Sequence, residues 1–331
     1  MDAGRRLLLC LLVLVAGLAI LQPNSRVYSQ SPPPPTLQGG AGSSPEWDPA
    51  EYARHSAVQY QAAQLVRKSL VLRGDEVVLD VGSGDGRITA EMSKDLPKGR
   101  IVGVDSSPAM VANASKTYPM SQYLNLEFHL QNAESLPFNE QFDLVVSFST
   151  LHWVGNLEAA LTGIRRALKP GGKLAATVVR GIYAPMEDVT DQLIRSPRWG
   201  KYLSPFAADY NFVQRDRYLK LLRQTGFTPV DVHDVSLHVL FASRDTFQPW
   251  VKQWYVYVDA IPADLRDQFL NDVVDLYLVK QPVDSQGQIY FMSSRLQVMA
   301  VRSDGPPAAD LLMAPSSPAR LYPGSRRLLS P

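Results

Sequence analysis

The sequence predicts an open α/β sheet with helices on both faces, on three observations. Apolar strand-like runs alternate with helix-like stretches along residues 77–179. The first run, residues 77–80, ends in an acid and is followed by alternating glycines at Gly82, Gly84 and Gly86. Hydrophobic residues make up 45% of the 331-residue chain, enough for a substantial core.

The elements follow in order. Residues 47–52 (WDPAEY) lead into a helix over Arg54–Val71, with Tyr52, Val58, Ala62, Leu65 and Val66 as its packing stripe. The first strand closes at Asp80, and the glycine loop opens the next helix. Glycine lets a ligand approach the main chain, and amides at a helix start favour a negative group. A dinucleotide fingerprint, G-x-G-x-x-G, would need glycine at position 87, where this chain has Arg87. The second strand, residues 100–105 (RIVGVD), ends at Asp105, 25 positions after Asp80. A carboxylate there suits two ribose hydroxyls, or else it caps the helix that follows. Third and fourth strands occupy residues 126–131 and 142–149. A helix over 156–172 presents Leu157, Ala160, Leu161, Ile164 and Leu168 on one face, with Asn156 as its cap and Pro170–Gly171 as its stop. The fifth strand is residues 173–179.

Beyond it, residues 181–213 carry Tyr183, Trp199, Tyr202, Phe206, Tyr210 and Phe212 and read as an aromatic lid. A helix at Asp216–Gln224, a strand at Pro229–Phe241, a helical region at about 246–280 and a last strand at Ile289–Val301 complete the domain, residues 46–302.

Taken in order, VLDVGSGDG, VGVDSSPAM, NAESLPF, FDLVVSFSTLHWV and LKPGG resemble the core of class I S-adenosylmethionine-dependent methyltransferases over about residues 50–180. The resemblance implies a Rossmann-like seven-stranded sheet with S-adenosyl-L-methionine as cofactor. The implied donor contacts are Asp80, Gly82, Ser83, Gly84, Gly86, Asp105, Ser106, Met110, Asn132, Ala133 and Ser147. The LHWV element is similar to small-molecule carboxyl methyltransferases of the trans-aconitate and juvenile hormone acid type. Two positions depart from the pattern: Ser83 stands where many relatives have Cys, and Asn132 where many have Asp.

Acceptor candidates are Tyr52, Gln59, His152, Trp153, Tyr183 and Trp199. His152 is placed to bind a substrate carboxylate or to act as a base. Trp153 is placed as an apolar wall or as a cation–π partner of a sulfonium. A carboxylic acid is the leading acceptor. A membrane-associated methyltransferase of a lipid or quinone, and a non-catalytic S-adenosylmethionine-binding protein, are the alternatives.

A net charge of +1 gives no argument for a nucleic-acid partner, and the expected state is a monomer or weak dimer. Cys10 is the single cysteine, and no histidine spacing suggests a metal site. Arg5 and Arg6 precede an uncharged run, Leu7–Leu21, that reads as a signal peptide or anchor within residues 1–29. Such a leader implies the secretory pathway or a membrane, and cytoplasmic residence if it is not used. A Pro/Gly/Ser-rich linker, residues 30–45, and a disordered tail, residues 303–331, flank the domain.

Overall fold

Strands rich in Val, Ile and Leu need cover on both faces, and this chain supplies it with helices. The computed structural model describes residues 47–206 and 212–303. The expected leader and linker, Tyr210 of the lid, and the tail beyond residue 303 lie outside the described residues.

Seven strands form one sheet: β1 (Val77–Val81), β2 (Arg100–Asp105), β3 (Leu126–Leu130), β4 (Phe142–Phe148), β5 (Leu168–Gly181), β6 (Phe227–Phe241) and β7 (Ile289–Arg302). Their order is β3-β2-β1-β4-β5-β7-β6. The first five are parallel, and β7 runs antiparallel between β5 and β6. The strand order reverses between β1 and β4, where open α/β sheets bind ligands at their carboxyl ends.

The predicted N-terminal helix is instead two. Asp48 caps α1 (Pro49–His55), accepting from the Ala50 amide at 2.8 Å, and Ser56 breaks the chain before α2 (Ala57–Arg67). With a ψ of 18°, Ser56 departs from helical geometry, so α1 leaves the line of α2. Helix α3 (Arg87–Ser93) follows the glycine loop, and α4 (Pro108–Thr117) follows β2. Asn156 caps α5 (Leu157–Ala167) as expected, but this helix stops before Leu168, which opens β5. The fifth strand thus takes in Pro170 and Gly171 as well.

Two apolar clusters sandwich the sheet. One joins α5 and α8 (Arg215–Gln224) to its first face through Leu161, Ile164, Tyr218 and Leu222. The other sets α2 and α3 on the second face through Ala63, Val66, Ala90 and Met92. A third cluster lies apart. The outer ends of β6 and β7 run past β5, and Leu237, Val239, Phe241, Ile289 and Phe291 there pack against four helices. These are α6 (Ala184–Ile194), α7 (Gly200–Leu203), α9 (Arg244–Trp254) and α10 (Arg266–Lys280). The predicted lid is therefore half of a larger aromatic cap. Its other half comes from the predicted helical region, which divides into α9 and α10 around two 3₁₀ turns.

Candidate active site

Asp80, on β1, is 2% exposed. Thr89, one turn into α3, donates to its Oδ2 at 2.7 Å, while Oδ1 is buried without a partner. Burial raises the Asp80 pKa to about 7, against the Thr89 bond, with Asp105 adding repulsion.

The glycine loop offers shape rather than free amides. Gly82 and Ser83 donate their amides to the Val104 carbonyl, Gly84 to Asp105 Oδ2 and Gly86 to the Ser83 carbonyl. Two glycines show what shape is required. A Cβ on Gly82, at φ +81°, would stand 2.1 Å from Thr150 Oγ1, so this position lets β1 and β4 close together. A Cβ on Gly84, at φ +55°, would face the Tyr52 ring at 3.6 Å, across the cleft.

Asp105 is fixed by this loop. Its Oδ2 accepts from Gly84 and its Oδ1 from Ser107, each at 2.9 Å. Ser107, not Asp105, caps α4. Ser106 is exposed beside it, and Met110 is buried in the first turn of α4. Asn132 is exposed and caps a short turn by accepting from the Glu134 amide at 2.8 Å, with Ala133 buried next to it. Ser147 departs from expectation: it is fully buried, and its hydroxyl donates to the Val81 carbonyl at 2.8 Å, tying β4 to β1.

Helices α1 and α2 cover the loop. Tyr52, Ser56, Gln59 and Tyr60 line one cleft with Asp80, Gly82, Ser83, Asp85, Arg87, Ile88 and Phe148. Three polar atoms in this lining are buried and unpaired: Asp80 Oδ1, Gln59 Oε1 and Ser83 Oγ. Buried polar groups are ordinarily bonded, so three orphans in one lining mark a place for a polar ligand. Trp47, a residue without a sequence motif, packs edge-on against both Tyr52 (5.7 Å) and Trp153 (6.0 Å) and so links the covering helix to the end of β4.

The 3₁₀ turn Leu151–Trp153 extends from β4. His152 is 5% exposed, its Nδ1 accepting a long 3.4 Å bond from the Val179 amide. Burial, with the Arg295 charge nearby, lowers its pKa to about 3. The imidazole is therefore neutral at physiological pH, with Nε2–H as its donor, which disfavours the base role.

Two acceptor candidates belong elsewhere. Trp199, 2% exposed, donates from Nε1 to Asp272 at 2.8 Å and packs edge-on against Phe269 inside the cap. Tyr183 accepts from Gln281 at 3.0 Å and packs against Tyr290 and Phe291. Both belong to the packing of the aromatic cap. Arg295 on β7, conversely, was not singled out from sequence. It is 3% exposed and donates from Nη1 to Ser149 Oγ at 2.9 Å. Its signal is phase, since Ile289, Phe291, Ser293 and Arg295 alternate on one buried face.

Comparison with known proteins decides the family. A juvenile hormone acid O-methyltransferase of Drosophila melanogaster is 30% identical over 245 residues, covering 69% of this chain and 81% of that protein. The chain belongs to the S-adenosylmethionine-dependent methyltransferases. Residues 79–176 of the methyltransferase match the family described as "Methyltransferase domain". A trans-aconitate 2-methyltransferase of Streptomyces coelicolor is 30% identical over 251 residues, 73% of this chain and 82% of that one. Among solved structures, the YcgJ protein of Bacillus subtilis shares the fold at 19% identity and a TM-score of 0.53, covering 74% of this chain and 100% of that one.

The methyltransferase takes S-adenosylmethionine as its cofactor, and the cleft fits that molecule. The unpaired acceptors Asp80 Oδ1 and Gln59 Oε1 could hold the ammonium of its amino-acid end, and Ser83 Oγ its carboxylate. The Asp105 carboxylate, set at the end of β2, keeps acceptor capacity for ribose hydroxyls. The enzyme thus replaces the reading of a non-catalytic cofactor-binding protein. Among the described residues, no group of three or more His, Cys, Asp or Glu could hold a metal ion, and no helix is long and apolar enough to cross a membrane.

Proposed function

We propose that the enzyme O-methylates a carboxylate on a small organic acid. The observation that carries this is the state of His152. Phenols and ammonium groups ionise near pH 10 and need a base poised near neutrality. His152, beside the end of β4, has a pKa pulled down to about 3 and cannot serve efficiently. A carboxylate is already ionised at pH 7 and needs no base. The activities for which the trans-aconitate and juvenile hormone acid relatives are named support the same acceptor class.

S-adenosylmethionine supplies an electrophilic methyl group on a sulfonium. In this reading Asp80, Gln59 and Ser83 grip its amino-acid end, Asp105 takes the ribose, and Asn132 and Ala133 lie toward the base. Gly84 lets it approach, and Tyr52 covers it. His152 offers Nε2–H to an acceptor oxygen, which aligns the nucleophile without deprotonating it. Trp153 and Trp47 keep water out. A dry site favours the reaction, because carboxylate and sulfonium lose opposite charges together in the transition state.

The apolar run Leu7–Leu21 supports placing this enzyme in the secretory pathway or on a membrane, which fractionation of a C-terminally tagged full chain tests. For the reaction, full-length protein is incubated with methyl-labelled cofactor and mixed small acids, phenols and amines. Label that mild base releases as methanol marks an ester and supports the proposal. Label that resists base in every product, as ethers and methylamines do, contradicts it.

A further inference from the structure

Two arginines among the described residues are buried, and they are treated differently. Arg302, near the end of β7, reaches Glu140 at 2.7 Å and the Leu168 carbonyl at 2.5 Å. Its charge is matched by an acid. Arg295 is more buried still, and no Asp or Glu among the described residues forms an ion pair with it. Its side-chain bonds are to neutral hydroxyls: Nη1 to Ser149 and Nε to Ser293 at 3.2 Å. Nη2 donates to no protein acceptor among the described residues.

A buried cation without a counter-charge costs several kcal/mol, so its retention calls for an explanation. Its position supplies one. Ser149 directly follows β4 and holds a left-handed φ of +58°. Arg295 pairs in register with Val179, whose amide donates to His152. Its charge also acts on Tyr52, the residue lying across from Gly84. The guanidinium therefore sits among Ser149, His152 and Tyr52, where β4 delivers its catalytic candidates. Burial lowers its pKa only to about 10, so it stays charged at pH 7. A planar guanidinium with a spare amino group matches a carboxylate in shape and charge.

We infer that Arg295 is the carboxylate anchor of the acceptor, binding the acid through Nη2 beside Ser149. This rests on the proposed carboxylate reaction and goes beyond it by naming the residue that selects an anionic acceptor over its neutral analogue. The anchored ester product loses its charge and with it the attraction to Arg295, which favours release.

The test compares wild-type full chain with Arg295→Met and Arg295→Lys on an acid that the wild type esterifies. Three quantities are read: KM for the acid, calorimetric Kd for S-adenosylmethionine, and binding of the acid against its own methyl ester. The anchor predicts that Arg295→Met raises KM about 100-fold, with cofactor Kd within about twofold. Binding of the acid weakens and binding of the ester does not, and Arg295→Lys recovers part of the loss. Removing an unmatched buried charge also leaves the melting temperature of Arg295→Met unchanged or higher. A structural arginine gives the opposite pattern: lower melting, with acid, ester and cofactor all weakened together. Either that pattern or an unchanged KM overturns the inference while the ester chemistry of the wild type stands. Should Arg295→Met fail to fold, Arg295→Lys decides alone: acid binding weakened selectively over ester supports the anchor, and equal loss of both overturns it. A wild type that methylates only neutral acceptors overturns the proposed reaction itself and the anchor with it.

Discussion

The glycine cradle and the aromatic cap are both rich in residues that suggest binding, yet they differ in what they leave unsatisfied. In the cradle, Asp80 Oδ1, Gln59 Oε1 and Ser83 Oγ are buried without partners around one cleft. In the cap, Trp199 is bonded to Asp272, Tyr255 to Thr190, and Tyr277 to the Tyr290 carbonyl. Trp250 Nε1 and Gln253 Oε1, both on α9, are exceptions there, buried without partners but lining no part of the glycine-loop cleft. Aromatic rings around Phe247 and Phe291 pack on one another at centroid distances of 4.8–6.2 Å. The lesson is that abundance of aromatics marks a core that stabilises, whereas three orphaned polar atoms gathered around one cleft mark a surface that awaits a ligand.

Mutation can break this contrast, and the largest effect should come from the cradle. Gly82→Val places a branched side chain where even a Cβ stands 2.1 Å from Thr150. Calorimetry should then detect no cofactor binding. Retained affinity would mean that β1 and β4 can separate at no cost. Trp199→Ala comes next, in the cap. It should cost about 3–5 kcal/mol of stability by denaturant titration, while the cofactor Kd of the folded fraction stays within twofold. A parallel loss of cofactor affinity would merge the two regions. Asp80→Asn should do the reverse, weakening cofactor binding by about 10–100-fold with little loss of stability, since it removes a buried charge that lacks a partner on one oxygen.

The pH dependence sharpens the same point with a smaller effect. The folded pKa of Asp80, about 7, is raised above its unfolded value. The folded apo protein therefore holds this proton more tightly than the unfolded chain. Its stability falls as pH rises from about 4 toward 7, and the ionised carboxylate is costly above 7. A cationic ammonium favours the ionised form. Cofactor affinity should consequently weaken by up to about tenfold per pH unit below 7, and the thermal shift on adding cofactor should be larger at pH 8 than at pH 6. Equal shifts at both values would remove Asp80 from the ammonium site. Tyr183→Phe, the mildest change, removes one bond to Gln281 in the cap. It should cost about 0.5–1.5 kcal/mol and leave KM for the acceptor unaltered.

Legibility followed the same division. Val77–Val81 and its glycine loop could be placed from sequence because tight turns between a strand and a helix leave few alternatives, and glycine phase distinguishes them. The strand order β3-β2-β1-β4-β5-β7-β6 lies in pairings between segments far apart in the chain and is legible only in three dimensions. The break at Ser56 leaves no mark in the sequence, since Tyr52, Val58, Ala62 and Val66 continue one helical stripe across it. Ser147 reads from sequence as available at the end of a strand, but the Val81 carbonyl takes its hydroxyl. Trp199 and Tyr183 depend on partners that sequence does not display: it shows a ring but not the acid, amide or second ring beside it. Arg295 went unseen because a single charge in a long strand reads as a solvent-facing position. Only its phase with Phe291 and the absence of a paired acid distinguish it, and the second of these exists only in three dimensions.

The most direct test is the pH profile of kcat for the esterified acid, with both substrates saturating, between pH 6 and 9. Burial pulls the His152 pKa down to about 3 and that of Arg295 only to about 10, and a bound ammonium favours the ionised Asp80, whose pKa is about 7 without it. The account predicts a flat profile. A kcat that rises about tenfold per unit to a plateau within this range would show a required base and contradict it.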